Sequence, residues 1–377
     1  MTVVNPSIIL RRFNMAAYHS LTVKEVSAET DQAVCLSFDV PDNLRSTFAF
    51  EPGQYLTLRA TVDGEAVSRS YSICVPPGHD TLQVAVKRVE GGLFSNYVNE
   101  QIKAGSTLEV MPPQGHFSIP LDPDSARRYL FIAAGSGITP VMSNMQAVLE
   151  VESQSTVTLI YGNQRTGSMM FRDKLAFLKN KYMERFNWIN ILSRETQEAP
   201  IFNGRINNRK GAELNEKLID LTSFDTFLLC GPESMISEVS RGLKGLGIPE
   251  NAILYELFGS SAEDAEARVA RHHARSEAYG GKICDVTVVA DGRTTELKIA
   301  ADGENLLDAG INQGLDLPYA CKGGVCSTCK ALLVEGQVEM DIQRGLTQAE
   351  IDAGMILTCQ AHPISERVVV DFDKRWS

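Results

Sequence analysis

Three cysteines fall within the nine residues Cys321-Lys322-Gly323-Gly324-Val325-Cys326-Ser327-Thr328-Cys329, and a fourth, Cys359, follows thirty positions on. A segment this dense in thiols and glycine is neither a regular helix nor a strand, and four thiolates gathered by one loop and one distant residue call for a metal centre. The C-x4-C-x2-C…C pattern is the plant-type [2Fe–2S] spacing. Gly323 and Gly324 let the backbone approach and aim N–H groups at sulfur, which tunes such a centre. Structural zinc sites usually carry two C-x2-C pairs; zinc, or inert thiols, is the alternative reading. The other four of the eight cysteines, Cys35, Cys74, Cys230 and Cys284, are scattered.

A chain of 377 residues is too long for one ordinary core and points to two or three domains. With 44% hydrophobic and 22% charged residues it reads as globular. No apolar run approaches the roughly 20 residues of a membrane helix. Ile8-Ile9-Leu10 precedes Arg11-Arg12, the wrong order for a signal peptide. A cytoplasmic location without membrane attachment is expected. A net charge of −11 argues against nucleic acid, which needs a basic face. Residues 281–377 hold 9 Lys and Arg against 15 Asp and Glu, hence −6 of that charge. An acidic end suits either docking to a basic partner or simple solubility.

The chain divides into five stretches. Residues 1–17 form a tail with little pattern, and Met15 is a candidate second start. Residues 18–125 read as β: short runs at Leu21–Val23, Ala33–Phe38, Tyr55–Ala60, Leu82–Val86 and Thr107–Val110 are separated by turns such as Asp63-Gly64, which predicts an antiparallel barrel. Residues 126–259 alternate strand and helix from Tyr129–Ala134 onward, the pattern of a doubly wound parallel α/β sheet. Residues 260–281 lack apolar periodicity and read as a solvated, partly helical linker able to act as a hinge. Residues 282–377 read as a small α+β module around the cysteine loop.

Three further motifs carry chemistry. Arg69-Ser70-Tyr71-Ser72 ends a predicted barrel strand: Arg69 can fork onto a pyrophosphate, Tyr71 offers a flat face and Ser72 a hydrogen bond to a ring edge. Val86-Lys87 precedes the glycine turn Gly91-Gly92-Leu93-Phe94-Ser95, where a helix start presents free N–H groups to phosphate. Taken singly, the first reads as a charged, half-exposed strand before it reads as a cofactor site, and the second reads also as a hairpin turn. Gly135-Ser136-Gly137-Ile138-Thr139-Pro140 follows a strand and opens a helix, the context for a dinucleotide. Pro140 stands where the dehydrogenase fingerprint has its third glycine.

In this order the motifs resemble the ferredoxin–NADP reductase superfamily over about Ser20–Phe258, and Pro318-Tyr319-Ala320 before the cysteines resembles plant-type ferredoxins. The whole chain after about Met15 resembles reductases that feed di-iron oxygenases and epoxidases. The resemblance implies an FAD barrel, an NAD(P) domain and a β-grasp-like [2Fe–2S] ferredoxin. FAD would be held by Arg69, Ser70, Tyr71, Ser72, Val86, Lys87, Gly92, Leu93, Ser95, Thr139 and Phe258, and the nucleotide by Gly135, Ser136, Gly137, Thr139, Pro140, Cys230, Gly231 and Pro232. Cys321, Cys326, Cys329 and Cys359 would hold the cluster. Cys230 reads equally as a small buried residue, and Phe258 as the end of a packed strand. Arg165 is the first candidate for a 2′-phosphate and Arg194 the second, which favours NADPH over NADH; either arginine reads also as solvated. Implied is an NAD(P)H-dependent oxidoreductase that passes electrons through FAD and the cluster to a di-iron protein, with no residue acting as acid or base. The alternatives are service to another oxygenase or a hybrid-cluster protein, or a cofactor-bearing redox sensor.

Overall fold

The computed structural model describes residues 18–259 and 262–374; the tail with Met15, and Ser260-Ser261, lie outside them. The first unit has strands β1 (His19–Thr30), β2 (Ala33–Asp39), β3 (Tyr55–Val62), β4 (Glu65–Ser72), β5 (Leu82–Lys87) and β6 (Thr107–Val110), with helix α1 (Leu93–Gln101) between β5 and β6. The strands pair antiparallel in the order β4-β3-β6-β1-β2-β5. The Cys74 N–H donates to the Gln83 carbonyl at 3.0 Å, and Ile73 bridges Val84, so the two edge strands meet and the sheet closes. The β3–β4 turn places Asp63 and Gly64 both at positive φ, the backbone of a two-residue hairpin that matches strand twist. Leu21, Val23, Leu36, Phe38, Leu56, Leu58, Val84 and Val86 fill the interior.

The second unit alternates β7 (Arg128–Ala134), α2 (Ile138–Val151), β8 (Thr156–Asn163), α3 (Arg172–Lys181), β9 (Phe186–Leu192), α4 (Asn208–Lys217), β10 (Thr226–Cys230), α5 (Glu233–Gly245) and β11 (Ile253–Glu256). Its sheet is parallel in the order β11-β10-β7-β8-β9. The winding reverses between β7 and β10, which opens a crevice at the carboxyl ends of those two strands.

The stretch read as a partly helical linker holds helix α6 (Ala262–Tyr279). It packs on the third unit, made of β12 (Ile283–Ala290), β13 (Arg293–Ala300), α7 (Leu306–Asn312), β14 (Lys330–Glu335), β15 (Val338–Met340), α8 (Gln348–Asp352), β16 (Met355–Leu357), β17 (Ala361–Pro363) and β18 (Arg367–Asp371). The main sheet runs β13-β12-β18-β14-β16, with β12 and β18 parallel, and β15 pairs β17 beside it. What fastens α6 is a charge. Arg275, 1% exposed, reaches Asp341 at 2.9 Å, and His362 approaches the same carboxylate at 3.3 Å. Arg271 adds a bond to the Met340 carbonyl and Ser276 one to Asp302. Because an arginine anchors this helix, its hydrophobic pattern stays weak and the sequence reads as solvated. Among the described residues no helix is long and apolar enough to cross a membrane.

Removing one partner from a buried ion pair leaves an uncompensated charge. Arg275→Ala is expected to destabilise the third unit by about 3 kcal/mol, read as an earlier transition in urea unfolding. Asp341→Asn in the same background should recover part of the loss.

Candidate redox site at the meeting of three domains

Cys321 and Cys326 lie in the loop after α7, Cys329 sits immediately before β14, and Cys359 lies between β16 and β17. The four thiols form two pairs, Cys321 with Cys326 and Cys329 with Cys359. The hydrogen bond from Cys326 lowers the Cys321 thiol to about 6, helped by the N–H groups of Gly323, Val325 and Cys326 against the effect of burial. The Gly323 N–H lies 3.3 Å from the Cys321 sulfur, and the Gln360 amide donates to the Cys359 sulfur at 3.6 Å. Gly324 has φ +77°, and a Cβ there would fall 2.8 Å from Ile342, so this turn requires glycine. Among the described residues no group of three or more His, Cys, Asp or Glu gathers as a single-ion site would need. Two thiol pairs with N–H groups aimed at sulfur fit two bridged irons, each taking one pair.

A cavity of about 580 Å³ opens beside this loop. Arg69, Ser70, Tyr71 and Ser72 line it from the end of β4, Lys87 from β5, and Gly92, Leu93 and Ser95 from the start of α1. Thr139 and Phe258 complete that wall. The N-terminus of α1 has no side-chain cap, so its first N–H groups stay available to an anion. Tyr71 stacks on Phe94 with ring centroids 6.0 Å apart, which fixes the plane of its ring. This apolar slot with one arginine, one lysine and a free helix start fits a flavin and its phosphates. Val86 is the exception: it points into the barrel interior, fully buried, because side chains alternate along β5 and Lys87 takes the cavity side.

The second cavity, about 870 Å³, sits at the reversal between β7 and β10. Gly135, Ser136 and Gly137 line it from one strand end, and Gly231 and Pro232 from the other. A Cβ on Gly137 would lie 2.1 Å from the Cys230 carbonyl oxygen, and one on Gly231 would lie 3.1 Å from the Ala134 Cβ. The two turns touch through their backbones and tolerate no side chain between them. Pro140 is buried in the first turn of α2 and Cys230 is buried behind its own carbonyl, so neither lines this cavity. Burial also pushes the Cys230 thiol well up, as befits a core residue. Thr139 bonds the Ser136 carbonyl at 3.0 Å and faces the flavin cavity instead. Arg165 lies outside the nucleotide cavity in a 3-10 turn closed by Ser168, whereas Arg194 lines it.

Three residues in these walls carry no role that the sequence assigns. Arg205 joins Arg194 in the nucleotide cavity. Glu256 closes the flavin cavity; its Oε2 is shut from solvent without a partner among the described residues, and burial raises its pKa to about 8. Tyr55, on β3, lines the flavin cavity and donates its hydroxyl to the Cys326 carbonyl. Lys87, expected at the flavin alone, lines both cavities, its ammonium 3.8 Å from where a Cβ on Gly135 would stand. Cys321, Val325 and Cys326 line the flavin cavity as well, so the cluster loop and the flavin seat share one wall. Thr57 to Thr328 at 3.3 Å, Arg59 to Asp316 at 2.7 Å and Tyr319 to the Ala66 carbonyl at 3.2 Å hold the loop there.

Models of three domain families match in this order: the oxidoreductase FAD-binding domain at residues 20–119, the oxidoreductase NAD-binding domain at 131–241 and the 2Fe-2S iron-sulfur cluster binding domain at 288–363. A component protein of the 1,2-phenylacetyl-CoA epoxidase of Escherichia coli K12 is 45% identical over 361 residues, covering 96% of this chain and 99% of that protein. The chain belongs to the ferredoxin–NADP reductase superfamily, in its form with a C-terminal [2Fe–2S] domain. The ferredoxin reductase component of Rhodococcus rhodochrous 3-ketosteroid-9-alpha-monooxygenase is 34% identical, over 93% of this chain and 96% of the relative. Among solved structures, phthalate dioxygenase reductase shares the fold with a TM-score of 0.56 at 21% identity, covering 94% of this chain and 98% of that one. The chain is therefore an oxidoreductase of FAD, NAD(P)H and a [2Fe–2S] cluster.

Gly137→Ala tests the contact between the two turns. The added methyl displaces one turn from the other, and a misplacement near 1 Å costs about 100-fold in rate. We expect NAD(P)H-driven flavin reduction to fall on that scale while the visible absorption of flavin and cluster stays at wild-type stoichiometry.

Proposed function

We propose that this chain is the reductase component of a 1,2-phenylacetyl-CoA epoxidase, taking electrons from NADPH and delivering them through FAD and [2Fe–2S] to a di-iron oxygenase component in the cytoplasm. The observation that carries the electron path is the shared wall: Arg69, Tyr71 and Ser72 face the same cavity as Cys321 and Cys326. The epoxidase assignment rests on the identity to the Escherichia coli epoxidase component over nearly the full length of both chains.

When bound, the flavin accepts two electrons as hydride and the cluster carries one at a time. The chain's own residues bind and orient. Arg69, Lys87 and the start of α1 would neutralise flavin phosphates, with Tyr71 against the ring. Gly135–Gly137 and Gly231-Pro232 would admit the nucleotide backbone at the sheet reversal, and Phe258 stands between the two cavities. Cys321 with Cys326, and Cys329 with Cys359, would each hold one iron. Arg194 and Arg205 supply the positive charge that suits a 2′-phosphate, which supports NADPH.

Three experiments test this. Cys326→Ser should abolish one-electron reduction of cytochrome c and the cluster's signal in electron paramagnetic resonance, while NADPH still bleaches the flavin; cytochrome reduction at the original rate refutes the path. Arg194→Ala and Arg205→Ala should each raise KM for NADPH about tenfold, as loss of a charged hydrogen bond does, and leave KM for NADH within twofold. Reconstitution with the other epoxidase components, scored as NADPH-dependent epoxidation of phenylacetyl-CoA, tests the partner.

A further inference from the structure

Arg344 lies between β15 and α8 in the ferredoxin domain, yet its two partners belong elsewhere. One guanidinium nitrogen meets Glu233 at 2.7 Å and another meets Asp264 at 2.9 Å. Glu233 is the first residue of α5 in the nucleotide domain, and Asp264 belongs to the first turn of α6. Glu233 also lines the dinucleotide cavity, next to Gly231 and Pro232. A carboxylate there opposes the phosphates that the cavity must receive. The helix start at α5 offsets only part of that charge, and the cation that faces Glu233 directly comes from the ferredoxin domain.

We propose that Arg344 neutralises Glu233 at the nucleotide cavity, so that the affinity for the nicotinamide nucleotide depends on the ferredoxin domain being docked. This rests on the NADPH reductase reading and extends it. Arg344 is a positioning residue: it acts on the ligand through Glu233. Thermodynamic reciprocity follows, because a dock that strengthens nucleotide binding is itself strengthened by the nucleotide by the same factor. Departure of the nucleotide therefore loosens the dock, and with it the face carrying Asp316, Tyr319 and the Cys326 carbonyl, which the barrel otherwise covers. The Arg344–Glu233 pair is partly exposed, so its effect lies in the field at the cavity rather than in fold stability.

The test is calorimetric titration of oxidised holoprotein with NADP+. At low salt, Arg344→Ala should weaken binding about fivefold, the low end of coupling between sites. Glu233→Gln in the same chain should restore it to within about twofold, since both charges are then gone. Asp264→Asn in the Arg344→Ala background should not restore it, because Asp264 does not line the cavity; a general structural loss would respond alike to either second change. About 1 M salt, where the screening length is near 3 Å, should shrink the difference. Steady-state ferricyanide reduction should show the change in KM for NADPH with kcat within twofold. An unchanged dissociation constant for Arg344→Ala at low salt, or a loss that Glu233→Gln fails to reverse, overturns the inference. If wild-type protein itself binds no NADP+, the NADPH reading fails instead.

Discussion

The contact on which the rest of this molecule depends is the seating of the cluster loop on strand β3. Tyr55, Thr57 and Arg59 come from one short stretch of that strand and bind Cys326, Thr328 and Asp316. β3 also pairs in full with β4, which carries Arg69, Tyr71 and Ser72 at its far end. One hairpin therefore positions the flavin seat and the metal loop together. A rigid closed barrel is a suitable platform, since two centres that exchange electrons must hold their separation, and a hairpin inside a closed sheet has little freedom to slip register.

The nucleotide joins this arrangement through sheet topology. The reversal between β7 and β10 makes the crevice, and two turns meet there through the backbones at Gly137 and Gly231. The wall that separates it from the flavin cavity is made by Thr139 and by the end of β11 with the residues after it, where Glu256, Leu257 and Phe258 border one or both cavities. The two cavities and the cysteine loop thus lie side by side in the order that nucleotide, flavin and cluster would follow. Glu256 stands in the flavin wall, where burial raises its pKa to about 8.

Polar anchors tie the third domain to the others. Arg275 locks α6 to the ferredoxin domain, while Arg344 ties that domain to α5 and α6. Arg271, Arg275 and Ser276 hold this helix to the ferredoxin domain. Exposed ion pairs such as Arg59–Asp316 contribute little to stability, so they orient the dock more than they strengthen it.

The chemistry and the fold classes are legible in the chain alone. Cysteine spacing is local, glycine turns such as Asp63-Gly64 and Gly135–Gly137 are local, and the change from alternating strands to strand–helix repeats is written in hydrophobic period. Those signals sit within a few residues of each other along the chain, so they survive without a structure. Which side chains share a wall is settled only by tertiary packing. Tyr55 meets Cys326 across 271 positions and Arg344 meets Glu233 across 111; neither pair leaves a local pattern. Arg194 rather than Arg165 reaches the nucleotide cavity because strand ends, not sequence proximity to a motif, set its rim. Likewise the docking of α6 is not legible in sequence, because its anchor is the buried Arg275, paired with Asp341 across 66 positions, rather than an apolar face that periodicity detects.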